Sequence, residues 1–237
     1  MPASFIGVGV GPGDPELLTA RALRVLREAD RVFSPTMALD VEGRAESIVR
    51  GADPSIAVER LVFAIRQDDE ARAAAHQVAA GHIVACLDRG ERVAFITLGD
   101  PNIYSTFPHL VTYVRAARPE VPVETVPGIM AFQDLASRAG VVVTDGVERL
   151  SLVSAVDGPE IVDQALADPD AALVVYKGGR FLPQIAERLA EAGRLDGAVF
   201  GELLGLPGER VGALKEASDG PVAYLATVVV PPADRGA

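Results

Sequence analysis

At 237 residues the chain has room for one large domain or two small ones, and for a substantial core. Apolar residues make up 49% and charged residues 23%, ordinary for a globular protein, while a net charge of -11 argues against a phosphate-tracking surface and so against general nucleic-acid binding. No apolar run approaches a membrane span, no charged leader precedes an apolar core, and the single cysteine, Cys86, excludes an internal disulfide, so the expectation is a soluble, unprocessed protein of a reducing cytoplasm.

In chain order, Phe5 to Val10 reads as a buried strand and Pro15 to Ala29 as a helix, with Leu18, Ala22, Val25 and Ala29 at helical spacing. Asp14 and Pro15 read as its N-cap and first residue. A strand over Arg31 to Ser34 follows, then a helix around Ala45 to Arg50, a strand around Leu61 to Ile65 and an Ala-rich helix from Asp69 to Leu87. Arg92 to Thr97 is the next strand, Ile103 to Arg115 the next helix, Val121 to Val126 a strand and Ile129 to Ala139 a helix. Such alternation predicts a largely parallel sheet with both faces covered.

The second half changes character. Strands are expected at Arg149 to Ser154, Ala172 to Tyr176, Gly197 to Glu202, Glu209 to Gly212 and Ala223 to Val230, with helices at Pro159 to Ala167 and Phe181 to Ala192. Late strands without long helices between them predict a mixed or antiparallel sheet. The organisation expected is two α/β domains, residues 1–122 and 123–237.

Two glycine turns carry the chemistry. Gly7 to Pro15 (Gly-Val-Gly-Val-Gly-Pro-Gly-Asp-Pro) and Gly99-Asp100-Pro101 each follow a strand and precede a helix, so both are expected at the carboxyl edge of one sheet, where a nucleotide-like ligand sits. A dinucleotide fingerprint is not completed in any register. Counted from Gly11 its third glycine falls on Glu16, the next strand ends Phe33-Ser34-Pro35 without an acid, and no Walker Gly-Lys-Ser/Thr occurs. NAD(P) and ATP are therefore disfavoured. His82 and Cys86, four apart on a helix, lack further partners for a tetrahedral set, so no metal site is assigned. Tyr104 is compatible with a core aromatic on an amphipathic helix, His109 with a partly buried helical histidine, and Glu202 with either a salt-bridged edge or a substrate cleft.

Gly9 to Thr19, Leu98 to Phe107 (Leu-Gly-Asp-Pro-Asn-Ile-Tyr-Ser-Thr-Phe) and Val126 to Ile129 (Val-Pro-Gly-Ile) together resemble the tetrapyrrole methylase family, in its order and spacing and over essentially the whole chain. Gly-Asp-Pro followed by Tyr-Ser-Thr-Phe is similar to the branch that methylates carbon 20 of precorrin-2 or of its cobalt-containing counterpart. Lys177-Gly-Gly-Arg-Phe-Leu-Pro183, Pro207-Gly-Glu-Arg-Val211 and Tyr224 to Val229 resemble that branch's late motifs. The resemblance implies two α/β domains of the class III methyltransferase type, an active site in the cleft between them, S-adenosylmethionine as methyl donor with S-adenosylhomocysteine as product, and a homodimer. Carried over by position, cofactor contacts fall on Pro12, Leu98, Gly99, Asp100, Ile103, Met130, Ala131, Lys177 and Gly212. Met130-Ala131 and Lys177 depart from the family's uroporphyrinogen-methylating branch, which has Thr-Ala and Met there. Asp100, Tyr104 and Glu202 are the catalytic candidates. Substrate contact is expected from Asp14, Arg180 and Arg210, since a polycarboxylate macrocycle meeting an acidic chain needs local arginines.

Overall fold

The computed structural model describes residues 2–63, 69–217 and 222–233, which form two compact units, 1–130 and 131–237. The first holds five parallel strands, β1 (Ser4–Gly9), β2 (Arg31–Thr36), β3 (Glu59–Val62), β4 (Arg92–Thr97) and β5 (Val123–Val126), in the order β3-β2-β4-β1-β5. Central β1 is buried along its whole length, because both of its faces are covered. Helices α1 (Ala20–Glu28) and α2 (Arg44–Ala52) cover one face through Leu26, Ile48 and Val49 against Ile6, Val8 and Ile96. Helices α3 (Asp69–Asp88) and α4 (Phe107–Ala117) cover the other through Ile83 and Leu110 against Phe5, Phe33 and Phe95.

The second unit begins with α5 (Ala131–Ala139). Its sheet joins β6 (Arg149–Ser154), β7 (Ala171–Tyr176), β8 (Val199–Glu202), β9 (Arg210–Ala213) and β10 (Thr227–Val230) in the order β6-β7-β10-β8-β9. Only β6 and β7 pair in parallel, so the mixed sheet is observed. Helices α6 (Ile161–Leu166) and α7 (Leu182–Glu191) cover one face, with Val162, Ile185 and Leu189 against Leu173, Val175 and Val228.

Several expectations shift for identifiable reasons. The helix expected from Pro15 begins at Ala20. Residues Pro15–Leu17 instead form a 3-10 turn capped by Asp14, whose carboxylate accepts from Glu16 N at 2.9 Å; Leu18 is extended, and the Thr19 hydroxyl then caps α1 by accepting from Ala22 N at 3.1 Å. The helix expected from Ile103 starts at Phe107, because Tyr104 has φ +50°, which no α-helix accommodates. Tyr104 is therefore a loop residue, 45% exposed, and not a core aromatic. Residues 223–226 turn before β10 instead of extending it. Ile65, the expected end of β3, lies outside the described residues. The first unit runs past residue 122 because β5 pairs with β1, Val8 opposite Val126.

Candidate active site

Neighbouring strands β1 and β4 send their following helices to opposite faces of the first sheet, α1 to one and α4 to the other. Their carboxyl ends therefore flank a topological switch point, where α/β sheets open a crevice for ligands. The two glycine turns meet there: Gly11 and Gly99 form an isolated antiparallel bridge, with Gly99 N donating to Gly11 O at 2.9 Å and Val10 N to Thr97 O at 3.0 Å. Both glycines have positive φ, +87° and +62°, as the close turn requires.

A third turn, Pro127-Gly128-Ile129 after β5, closes against these two. A Cβ on Gly128 would lie 2.1 Å from Gly99 O and 2.8 Å from Gly9 Cα, and one on Gly9 would lie 2.4 Å from Gly99 O. The turns are thus stacked backbone on backbone, a contact only glycine allows. Asp100 clamps them: one carboxylate oxygen accepts from Asn102 N at 2.9 Å, closing its own turn, and the other from Gly128 N at 3.2 Å. Pro12, Asp14, Leu98, Gly99, Asp100, Ile103, Tyr104 and Met130 all belong to these loops and their immediate flanks, so the structure gathers the expected residues of the first unit at one sheet edge. His109 does not join them; it stacks on His76 of α3, ring centroids 5.0 Å apart. His82 is exposed while Cys86 is buried and accepts from Arg89, so the two do not share a ligand environment.

The expected residues of the second unit gather at one end of its own sheet. Tyr176, Thr227, Gly201 and Val211 stand in register across β7, β10, β8 and β9, and Lys177, Glu202 and Arg210 lie immediately beyond that row. Phe132 N, beside Ala131 at the start of α5, donates to Tyr176 Oη at 3.3 Å. Lys177 has φ +58°, and burial pushes its ammonium below the usual lysine range. Glu202 is buried, one oxygen bound by Arg210 Nε and the other accepting from Ala223 N. That pair makes Glu202 a salt-bridged strand end. It also occupies Arg210, which lies over the Phe200 ring, whereas Arg180 is exposed against Phe181. Gly212 pairs with Phe200 in mid-strand.

One tie was not legible in the sequence. In α5, Asp134 accepts from Arg138 Nε at 2.8 Å, and Arg138 Nη1 donates to Glu209 at 3.0 Å; Glu209 in turn accepts from Gly205 N. The Pro207-Gly-Glu-Arg motif is thus a folded β8–β9 connection held to α5 through Glu209, while Arg210 pairs with Glu202. The motif itself was the only available signal.

Taken together, the loops of the first unit present backbone groups and no basic side chain: residues 7–15, 98–107 and 126–131 contain neither Lys nor Arg. The helix that follows the first glycine turn, α1, starts at Ala20 and is separated from the turn by the 3-10 segment. The lack of a basic side chain in these turns is wrong for a triphosphate or pyrophosphate, whose charge calls for a cation. The model of the tetrapyrrole (corrin/porphyrin) methylases matches residues 4–218. The chain belongs to the tetrapyrrole methylase family. It is 36% identical over 236 residues to a precorrin-2 C(20)-methyltransferase of Sinorhizobium sp, covering 96% of this chain and 94% of that one. Identity to a cobalt-precorrin-2 C(20)-methyltransferase of Salmonella typhimurium is 31%, covering 97% of each. Among solved structures, the native uroporphyrin III C-methyl transferase of Thermus thermophilus superposes with a TM-score of 0.66 at 26% identity, covering 98% of this chain and 94% of that one. As a tetrapyrrole methylase the chain is an enzyme of the class III methyltransferase fold.

Proposed function

We propose that this chain methylates carbon 20 of precorrin-2, or of its cobalt-containing counterpart, in cobalamin biosynthesis, with S-adenosylmethionine as donor. The observation that carries the proposal is the 36% identity to a C(20)-methyltransferase along nearly the full length of both chains. The donor set supports the cofactor. A glycine cradle without Lys or Arg lets backbone approach a nucleoside closely, and it brings no positive charge against a sulfonium.

When bound, S-adenosylmethionine supplies an electrophilic methyl group on positively charged sulfur. This chain's residues do the rest. Pro12, Leu98, Gly99, Ile103 and Met130 offer the cradle of the first unit, and Ala131, Lys177 and Gly212 are the contacts proposed from the second. Asp100 acts through the turns: with both oxygens held by backbone amides it fixes the cradle's shape, and its negative charge favours a cationic donor nearby. Glu202 holds Arg210 in line, and Arg180 and Asp14 remain proposed substrate contacts. Of the three catalytic candidates, Tyr104 alone is an exposed side chain beside the cradle, so it is the one proposed to meet the substrate where the carbon 20 proton departs.

A cytoplasmic homodimer belongs to the same proposal, and sedimentation tests the dimer. The activity is tested by incubating the protein with S-adenosylmethionine carrying an isotopically labelled methyl group and either precorrin-2 or cobalt-factor II. Label at carbon 20 by NMR is expected; label at another carbon, or none with both substrates, refutes the proposal.

A further inference from the structure

The loop from β2 to α2, residues 37–43, leaves the same carboxyl edge as the glycine turns. Strand β2 lies beside β4, with Phe33 opposite Phe95 as their last pair, and runs on to Thr36 before the loop begins. Gly43 is packed onto this strand end: a Cβ there would lie 2.6 Å from Pro35 O. Arg44, the first residue of α2, therefore starts at the carboxyl end of β2, the strand next to β4.

Arg44 is unusual among the arginines. It is half-buried, and its desolvation lowers its affinity for its proton, yet its guanidinium has no hydrogen-bond or ion-pair partner among the described residues. Its first-turn position also sets its charge against the helix dipole. The neighbouring acids are drawn elsewhere: Glu42 pairs with Arg50 at 2.5 Å, Glu46 takes Arg60 in a bidentate pair at 2.7 and 2.8 Å, and Asp40 acts on Arg60. A desolvated guanidinium without a counter-charge costs stability and gains nothing inside the fold.

Beside it the loop exposes Met37 (60%), Leu39 (66%) and Val41 (49%). This exposure is built in. The Thr36 hydroxyl donates to Ala38 O at 2.9 Å and Val41 O at 2.7 Å, Arg60 donates to Leu39 O at 2.9 Å, and Glu46 accepts from Gly43 N at 3.4 Å. A loop fixed from beneath by four such contacts while three apolar side chains face water is a preorganised binding surface.

We propose that this loop and Arg44 form the substrate lip, with Met37, Leu39 and Val41 against the tetrapyrrole ring and the Arg44 guanidinium on one of its peripheral carboxylates. The occupant follows from charge complementarity: a flat apolar body with acidic arms meets an apolar loop with one uncompensated cation. The inference rests on the function proposed above.

The test measures the KM for precorrin-2, binding of uroporphyrin III by fluorescence quenching, S-adenosylhomocysteine affinity, and Tm. For Arg44→Gln, KM and porphyrin dissociation constant are expected to rise about tenfold or more at low salt, as for loss of a charge-assisted pair. S-adenosylhomocysteine affinity should stay unchanged and Tm should hold or rise, since no internal partner is lost; Arg44→Lys should recover part of the binding. Leu39→Asp, at an exposed position, should weaken porphyrin binding without unfolding. An active wild type with an unchanged KM in Arg44→Gln overturns the lip alone. Leu39→Asp that leaves porphyrin binding intact but dissociates a dimer overturns it in favour of a self-association surface. A wild type that neither methylates precorrin-2 nor binds the porphyrin overturns both this inference and the function on which it rests.

Discussion

Adding one methyl group at Gly128 tests whether the three stacked turns are the cofactor cradle. In Gly128→Ala the new Cβ would lie 2.1 Å from Gly99 O, 2.8 Å from Gly9 C and 2.8 Å from Gly9 Cα, all of them backbone atoms that cannot rotate away. Comfortable non-bonded separation is near 3.5 Å, so one turn must retreat by about 1 Å. Overpacking of this kind costs about 1 to 3 kcal/mol, and 2 kcal/mol corresponds to roughly 4 to 8 °C in Tm for a chain of this length. The same displacement misaligns the cradle, and a shift of about 1 Å at a positioning site can cost on the order of a hundredfold in rate. Calorimetric titration of S-adenosylhomocysteine alongside a thermal melt separates the two effects. Gly81→Ala is the control: it sits at an exposed position of helix α3 with nothing within 4 Å of its Cβ, so Tm should rise slightly and affinity stay constant. If Gly128→Ala lowers Tm but binds the nucleoside as well as wild type, the turns serve the fold only and the cofactor lies elsewhere.

Asp100→Asn keeps an acceptor for Asn102 N but turns an amide N–H2 towards Gly128 N, so it should lose about 1.5 to 3 kcal/mol, seen jointly as lower Tm and weaker S-adenosylhomocysteine binding; an unchanged Tm removes Asp100 as the clamp. Glu202→Gln should release Arg210 and cost about 1 to 3 kcal/mol, with the KM for the macrocycle rising while cofactor affinity holds, as steady-state kinetics and titration would show. Asp53 supplies a pH signature: the Ser55 hydroxyl and the Arg27 guanidinium hold its carboxyl down to about 2. Its folded pKa lies below the unfolded value, so its stabilisation is complete above about pH 4 and is lost as pH falls towards 2. Melts of Asp53→Asn should therefore show a shallower acid limb than wild type, and identical limbs would refute the assignment.

Periodicity made most of the fold legible. Arg92–Thr97 and Arg149–Ser154 are observed at the expected bounds, since hydrophobic runs between turn residues leave little freedom. Helix starts were less legible. Asp14-Pro15 has the composition of a helix cap and caps a 3-10 turn, because Leu18 takes an extended conformation that no local pattern dictates. Ile103 and Phe107 are four apart as in a helix, but Tyr104 between them is left-handed, a choice made by the turn that Ser105 closes on Pro101. Both departures fall in the loops of the candidate site, where tertiary demands override local preference.

The two kinds of recognition at this site differ in what they leave in a sequence. A ligand held by backbone leaves glycines, so Gly9, Gly99 and Gly128 could be read as turns at one sheet edge; that the three touch each other is a tertiary fact carried by no residue type. A ligand held by side chains leaves residues whose meaning depends on their neighbours. Arg44 has acids two residues away on either side, Glu42 and Glu46, and Arg210 follows Glu209, each beside a glycine-bearing loop. Strand register puts Glu202 directly opposite Arg210 and satisfies it internally, whereas the acids around Arg44 are claimed by Arg50 and Arg60. Pairing then gives the two cations opposite consequences. Arg210 is part of the strand end and costs stability when removed; Arg44 has no internal counter-charge to lose, so the proposed lip requires that Arg44→Gln weaken substrate binding while Tm holds or rises.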